Sequence, residues 1–229
     1  MQADTLTFDQ VHLGVPNPAE GARWYIQYLG AMPGEHTDRV TFGPTRFIFL
    51  KNDSPSPSHG STIDHVGFSV DDMRGTVQLL VDEGVRSTSP ACIEDPWGTT
   101  VEFVQDAGIT GFHHVHLQVP DPDEARRWYL DMFGGSAEQI DGQEPALRYQ
   151  DVRIFMDRGT ASKSAGHAID HVGWRMPDLL GKAAALKNKG VRFTTEPHAG
   201  PHAPHAPVLM SFMEDPWGVK IELLQRREP

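Results

Sequence analysis

Alternation of apolar and polar residues opens four stretches of the chain. In the third, Val115, Leu117 and Val119 fall on one face of a strand while His114, His116 and Gln118 fall on the other. Val172, Trp174 and Met176 oppose His171, Gly173 and Arg175 in the same way. Near the C-terminus Ile221 and Leu223 oppose Lys220, Glu222 and Leu224. The four openings read QVHLGV, HVGFSV, HVHLQV and HVGWRM, and each leads from a strand into a helix and on to further strands. Helix starts are written at Asn17-Pro18-Ala19-Glu20 and Asp121-Pro122-Asp123-Glu124, each a capping side chain, a proline in the first turn and a Glu three residues on. Trp24 with Tyr28, and Trp128 with Met132, recur at the spacing of one helix face and are expected to pack. Two more helices are predicted over 72–83 and 178–189, stopped by Gly84 and Gly190.

These units arise by duplication. FDQVHLGVPNPAEGARWYIQYLG at 8–30 returns as FHHVHLQVPDPDEARRWYLDMFG at 112–134, TIDHVGFSV at 62–70 as AIDHVGWRM at 168–176, and EDPWGTTVEFVQ at 94–105 as EDPWGVKIELLQ at 214–225. The offset grows from 106 at His65 and His171 to 120 at Glu102 and Glu222, which places 14 extra residues of the second half around 196–207. Connectors of loop composition lie at 51–61, 106–111 and 157–167. The middle one divides the chain into expected domains 1–107 and 108–229, each made of two units.

Composition narrows the function classes. A formal charge of −11 repels a phosphate backbone, so nucleic acid is not an expected partner. No apolar run reaches the roughly 18 residues of a membrane span. Met1-Gln2-Ala3-Asp4-Thr5 lacks the layout of a secretory signal, and a single cysteine, Cys92, fits a reducing compartment, so the expected location is cytoplasmic. The expected partner is a small-molecule substrate, and oligomeric state, a homo-oligomer included, stays open.

With helices covering the valine faces, the polar faces of paired units meet in a cleft. His114, His171 and Glu222 are supplied there by three strands, and two imidazoles with one carboxylate form the facial set that holds Fe(II) with positions open to substrate and oxygen. Zn(II), Mn(II) and Ni(II) accept the same ligands. Gln10, His65 and Glu102 correspond to them in the first half, a weaker second site because an amide oxygen is a poorer ligand than an imidazole. His116, on the face of His114, is a candidate proton shuttle, matched in the first half by His12, which is expected to be merely polar. The inserted EPHAGPHAPHAP brings His198, His202 and His205 near the cleft as a lid, with His202 and His205 as further catalytic candidates. Arg46 and Arg153 are expected on the surface, Trp97 and Trp217 in packed turns, and Cys92 unreactive.

The four openings together with the two DPWG-x-x-x-E stretches ending in Glu102 and Glu222 resemble the vicinal oxygen chelate superfamily, which spans glyoxalase I, bleomycin-resistance proteins and type I extradiol dioxygenases; the resemblance covers nearly the whole chain. It implies an α+β fold of four βαβββ units paired into two domains with open, curved mixed sheets. A ligand set of His114, His171 and Glu222, with a first domain that has lost its metal, resembles the extradiol arrangement and implies a metal-dependent dioxygenase acting on a catechol-like substrate. The tyrosine such enzymes carry before the final Glu is replaced by Phe212 and Met213. Gln10, His65 and Glu102 resemble three ligands of glyoxalase I, which implies a lyase or isomerase as the alternative, but RFIFLK has Phe47, Ile48 and Phe49 where the fourth, a Glu, would stand. A metal-free binding protein of the bleomycin-resistance kind is the third reading.

Overall fold

The computed structural model describes residues 5–140, 145–201 and 207–226. The first unit runs β1 (Thr7–Val15), α1 (Pro18–Leu29), β2 (Met32–Pro33), β3 (Arg39–Phe42) and β4 (Thr45–Lys51). The second runs β5 (Ile63–Ser69), α2 (Met73–Asp82), β6 (Arg86–Ser89), β7 (Cys92–Glu94) and β8 (Thr100–Val104). The third contains β9 (Gly111–Val119), α3 (Pro122–Phe133), β10 (Ser136–Glu138), β11 (Ala146–Tyr149) and β12 (Val152–Arg158). The fourth contains β13 (Ile169–Arg175), α4 (Leu179–Asn188), β14 (Phe193–Ala199), β15 (Leu209–Glu214) and β16 (Lys220–Gln225).

The helices begin where their caps put them. Asn17, Asp72, Asp121 and Asp178 each accept a hydrogen bond from the backbone N–H three residues on, satisfying a donor that the first turn leaves open. Beyond α2 and α4, Gly84 and Gly190 take φ of 90° and 87°, a left-handed conformation open to glycine at little cost.

Two eight-stranded sheets result, ordered β14-β15-β16-β13-β1-β4-β3-β2 and β10-β11-β12-β9-β5-β8-β7-β6. Sheet one therefore joins the first unit to the fourth, and sheet two joins the second to the third. This corrects the expectation that 1–107 and 108–229 each close a sheet of their own. The repeat identifies equivalent segments, whereas the long connectors decide neighbours. Both cross from one sheet to the other, and they run side by side: Ala168 N–H donates to Ser56 O at 2.7 Å and Thr62 N–H to Ser162 O at 2.7 Å. The 105–110 connector instead joins β8 to β9 within sheet two.

At each sheet centre two opening strands pair antiparallel, His12 opposite His171 and Val11 opposite Val172 in sheet one, His65 opposite His116 and Val66 opposite Val115 in sheet two. The valines are completely buried. An aromatic core joins the sheets, Phe8 and Phe47 of sheet one packing on Phe112 of sheet two with ring centroids 6.2 and 5.0 Å apart. Two buried hydrogen bonds add to it: Tyr25 of α1 donates to Asp95 at 3.0 Å and Tyr129 of α3 to Asp215 at 2.8 Å, each reaching the DPWG turn of the other sheet. In those turns the Asp Oδ1 also accepts the backbone N–H groups of Trp97 and Thr99, or of Trp217 and Val219.

Candidate metal centres

Centre one forms where β1, β13 and β16 lie side by side. Gln10 stands opposite Gly173, and Gly173 opposite Glu222, so the amide and the carboxylate approach across a residue without a side chain. A Cβ at Gly173 would come within 2.8 Å of Gln10 Cγ. Gln10 Nε2 donates to Glu222 Oε2 at 2.5 Å, and its Oε1 accepts from Arg226 at 3.0 Å, which fixes the amide's orientation. His12 Nε2 and His171 Nε2 each lie 3.4 Å from that same Glu222 oxygen. The two imidazoles stack with centroids 4.0 Å apart. Asp170 Oδ1 is 2.6 Å from His171 Nδ1 and accepts from Lys220 at 2.6 Å, so a carboxylate orients this imidazole from behind.

Centre two is its counterpart on β5, β8 and β9. Glu102 Oε2 lies 3.4 Å from His65 Nε2 and 3.2 Å from His114 Nε2, and His116 completes a group whose ligand atoms with those of His65 and His114 lie within 4.8 Å of one another. Asp64 Oδ1 backs His65 Nδ1 at 2.9 Å, as Asp170 backs His171.

Both donor sets fit a divalent ion. Ligands bonded at about 2.1 Å to one ion stand roughly 3–3.5 Å apart, and the carboxylate–imidazole separations of 3.2–3.4 Å at Glu222 and Glu102 fall in that range. Both ring nitrogens of His12, and Nε2 of His65, His114, His116 and His171, are buried without a hydrogen-bond partner. A buried polar atom left in this state costs about 1–3 kcal/mol. Four of these atoms, Nε2 of His12 and His171 at Glu222 and of His65 and His114 at Glu102, mark positions shaped for something that accepts lone pairs.

The fields differ in detail. Burial, reinforced by the neighbouring His171, holds the His12 imidazole well below its ordinary value, so it stays neutral and able to ligate. Burial works to raise the Asp170 carboxyl, but its bonds to His171 and Lys220 outweigh that and keep it below the usual range. In centre two burial drives His114 down to about 3 despite Glu102, whereas for His65 the carboxylates of Asp64 and Glu102 overcome burial and lift it to about 9.

The residues singled out in the sequence are redistributed by the interleaved sheets. His171 and Glu222 meet, but their partner is His12; His114 belongs to the other sheet, so His114, His171 and Glu222 do not form one site. Gln10, His65 and Glu102 likewise divide, Gln10 to centre one and the other two to centre two. His116 joins centre two, its Nε2 3.1 Å from Asp157. His202 and His205 lie outside the described residues, and His198 is exposed, bonded to Glu196 O. Arg153, expected at the surface, is buried on Glu138 and Asp106 at 2.7 Å each, while Arg46 reaches Asp9 and Glu35. Trp97 and Trp217 pack on Trp24 and Trp128. Cys92 stands opposite Glu102, and burial raises its thiol. His12 was legible as the histidine of the V-H-L opening shared by both halves, and Asp64 and Asp170 as the residue before each H-V-G.

Among the described residues, Pro201 and Pro207 of the inserted stretch lie at centre one. There β14 and β15 form a longer hairpin than β6 and β7, and Pro201, Pro207 and Met210 wall a cavity of about 220 Å³ whose floor is Gln10, His12 and Glu222. His36, Arg39 and Arg226 stand in the same wall, and Ile48 occupies the position on β4 opposite His12.

The profile described as Glyoxalase/Bleomycin resistance protein/Dioxygenase superfamily matches residues 7–106 and again 111–223. A curated relative, the "Probable lactoylglutathione lyase" of Synechocystis sp., is 25% identical over 124 residues, 49% of this chain and 92% of that protein. Glyoxalase I from Zea mays superposes with a TM-score of 0.77 at 18% identity, over 96% of this chain and 92% of that one. A putative dioxygenase from Bacillus subtilis gives 0.65 at 14%, over 98% and 86%. The two solved structures share the fold. Among the described residues no helix is long and apolar enough to cross a membrane.

Proposed function

We propose, from the premise that the chain belongs to the Glyoxalase/Bleomycin resistance protein/Dioxygenase superfamily, that centre one is the active site of a metal-dependent oxygenase. Its substrate is small and offers two adjacent oxygens, as a catechol does. The observation that carries this reading is the donor set: His12, His171 and Glu222 converge, while Ile48 leaves no fourth protein ligand on β4. Two imidazoles and a carboxylate with open positions are the set that suits Fe(II). When bound, such an ion supplies Lewis acidity to paired substrate oxygens and, as Fe(II), one-electron chemistry with dioxygen.

The chain's own residues do the rest. Asp170 holds the His171 ring in the tautomer that presents Nε2, and Arg226 fixes the Gln10 amide whose N–H reaches Glu222. Arg39 and Arg226 place guanidinium groups in the wall, which suits a substrate with an acidic group. Pro201, Pro207 and Met210 shield the floor from water.

A second reading, a glyoxalase-like lyase, is supported by Gln10 beside Glu222 and by the likeness to the curated lyase over half the chain. Moving a proton between adjacent carbons calls for a base besides the ligands. Glu222 is the sole carboxylate among the described residues lining the cavity, which favours the oxygenase. Anaerobic purification, elemental analysis and oxygen uptake with a catechol panel test this. Iron that departs in Glu222→Gln, with uptake on at least one catechol, is the expected result. Zn(II) or Ni(II) with no uptake on any catechol would overturn the oxygenase in favour of the lyase.

A further inference from the structure

The two long connectors carry an arrangement that neither donor set uses. In the second connector Ser162 Oγ lies 3.0 Å from His167 Nε2, and His167 Nδ1 lies 2.7 Å from the carbonyl oxygen of Pro57 in the first. A carbonyl oxygen only accepts, so Nδ1 carries the ring proton and the neutral imidazole presents a lone pair at Nε2. The Ser162 hydroxyl is then the donor of the 3.0 Å bond. Its other acceptor, Gly60 O at 3.2 Å, already takes the Ser162 N–H at 3.0 Å. The backbone holds both residues in place: Thr62 N–H donates to Ser162 O, and Ala168 N–H, next to His167, donates to Ser56 O, each at 2.7 Å. Ser162 is exposed and His167 half-buried. At the offset of 106 the first connector has Ser56 in place of Ser162 and Ser61 in place of His167, so it holds the hydroxyl without the base.

We propose that Ser162 is a nucleophile activated by His167, with the Pro57 carbonyl orienting the imidazole, and that it takes an acyl group from activated esters. A serine hydroxyl is a weak nucleophile until an adjacent base receives its proton, and the mark of such a pair is hydrogen-bond reach between the two with a third group holding the base. Here a main-chain oxygen does the holding, and it fixes the same tautomer that a carboxylate would. In the step, a bond forms between Ser162 Oγ and the acyl carbon, and the bond from that carbon to the leaving oxygen breaks. The hydroxyl proton passes to His167 Nε2 and from there to water, while the leaving group departs as its anion. An exposed hydroxyl is open to small donors, and a leaving group such as an aryl oxide departs without a proton from the protein, so the substrate class is a small aryl ester. Ser162 and His167 belong to neither donor set, and the reaction draws on no bound ion.

The test uses the full chain with two probes, an alkyl fluorophosphonate, which leaves a stable adduct on the attacking oxygen as fluoride departs, and p-nitrophenyl acetate. Peptide mass spectrometry is expected to place one phosphonyl group per chain on Ser162. The native chain should label there about 100-fold or more faster than the urea-unfolded chain, the lower end of what a positioned base supplies. Ser162→Ala should lose the label. His167→Gln should slow labelling of Ser162 by a similar factor, and should slow by as much the release of p-nitrophenolate that exceeds the release by Ser162→Ala. Circular dichroism verifies the fold, with His167→Asn as the substitute if His167→Gln does not fold. A histidine that only pins the two connectors together would lower the melting temperature when replaced and leave the labelling rate of the folded variant where it was. A label on lysine or Cys92 with Ser162 unmodified, equal labelling of the native and unfolded chains, or a rate unchanged in His167→Gln would each overturn the proposal. Failure of the oxygenase reading appears separately, in the oxygen uptake of centre one.

Discussion

Tyr129→Phe removes one oxygen from a packed position and probes the contact between α3 and the turn of the opposite sheet. Tyr129 is fully buried, and its hydroxyl donates at 2.8 Å to Asp215 Oδ2, a carboxylate 3% exposed. Burial raises the Asp215 carboxyl from 3.8 to about 6 even though Val219, Tyr129 and Trp217 donate to its ionised form. That gap is worth about 3 kcal/mol of strain once the group ionises. Below pH 3.8 the carboxyl is neutral in the folded and unfolded chain alike. Between 3.8 and about 6 the folded chain keeps a proton that the unfolded chain has lost, so this group's contribution to stability falls as pH rises and levels off above 6. Phenylalanine preserves the ring packing and deletes a donor to the ionised form, which costs about 1.5–3 kcal/mol at pH 7.5. For a chain of 229 residues this is a fall of roughly 3–12 °C in melting temperature. The deficit should shrink as pH falls through about 6 toward 4, where the folded chain keeps this carboxyl neutral. Urea unfolding of wild type and variant at pH 7.5 and 4 measures both quantities. A loss under about 0.5 kcal/mol at pH 7.5, or a deficit that grows in acid, would refute the reasoning.

Further outcomes follow from the same geometry. Tyr25→Phe, acting on Asp95, should show the same loss and the same pH trend, read by the same unfolding series. His12→Gln should lower ion affinity at centre one, measured by calorimetric titration with Zn(II), while His114→Gln leaves that centre unchanged. Gly173→Ala pushes a methyl into Gln10 and should cost about 1–3 kcal/mol of stability by overpacking, together with a change in the Co(II) spectrum of centre one. Arg226→Gln should weaken binding of a carboxylate-bearing catechol by about tenfold, roughly the 1.4 kcal/mol of a modest charge-assisted contact, and leave its neutral amide analogue little changed, as calorimetry would show.

Elements declared by local chemistry were readable from the chain. Asn17 and Asp121 announced α1 and α3, and Gly84 and Gly190 ended α2 and α4 within a residue or two of the predicted limits. The four units and the mixed sheets were legible for the same reason, since each depends on periodicity inside a short segment. The neighbours of each unit were not. Duplication makes β1 equivalent to β9 and β5 to β13, and the same face alternation results whether a unit pairs within its half or outside it. His12 and His114 therefore exchanged roles: both lie on the correct strand face, but only the observed pairing places His12 beside His171 and His114 beside His65. Arg153 was misread as surface because its partners, Glu138 and Asp106, come from separate strands and loops brought together by sheet two.

The interleaving of units has a consequence for the order in which the molecule can be assembled during synthesis. Sheet two is contributed by residues 63–158, so all its strands are synthesised before any strand of the fourth unit. Sheet one pairs the earliest strand made with some of the last, and β1 must wait with an unpaired edge until β13 arrives. Contacts spanning that much sequence are slow to form, and waiting edges invite association with other chains. A nascent chain halted just after residue 168 would carry all the candidate ligands of the second cluster and none of the fourth-unit ligands of the first, so metal supplied during translation would meet the inner cluster first.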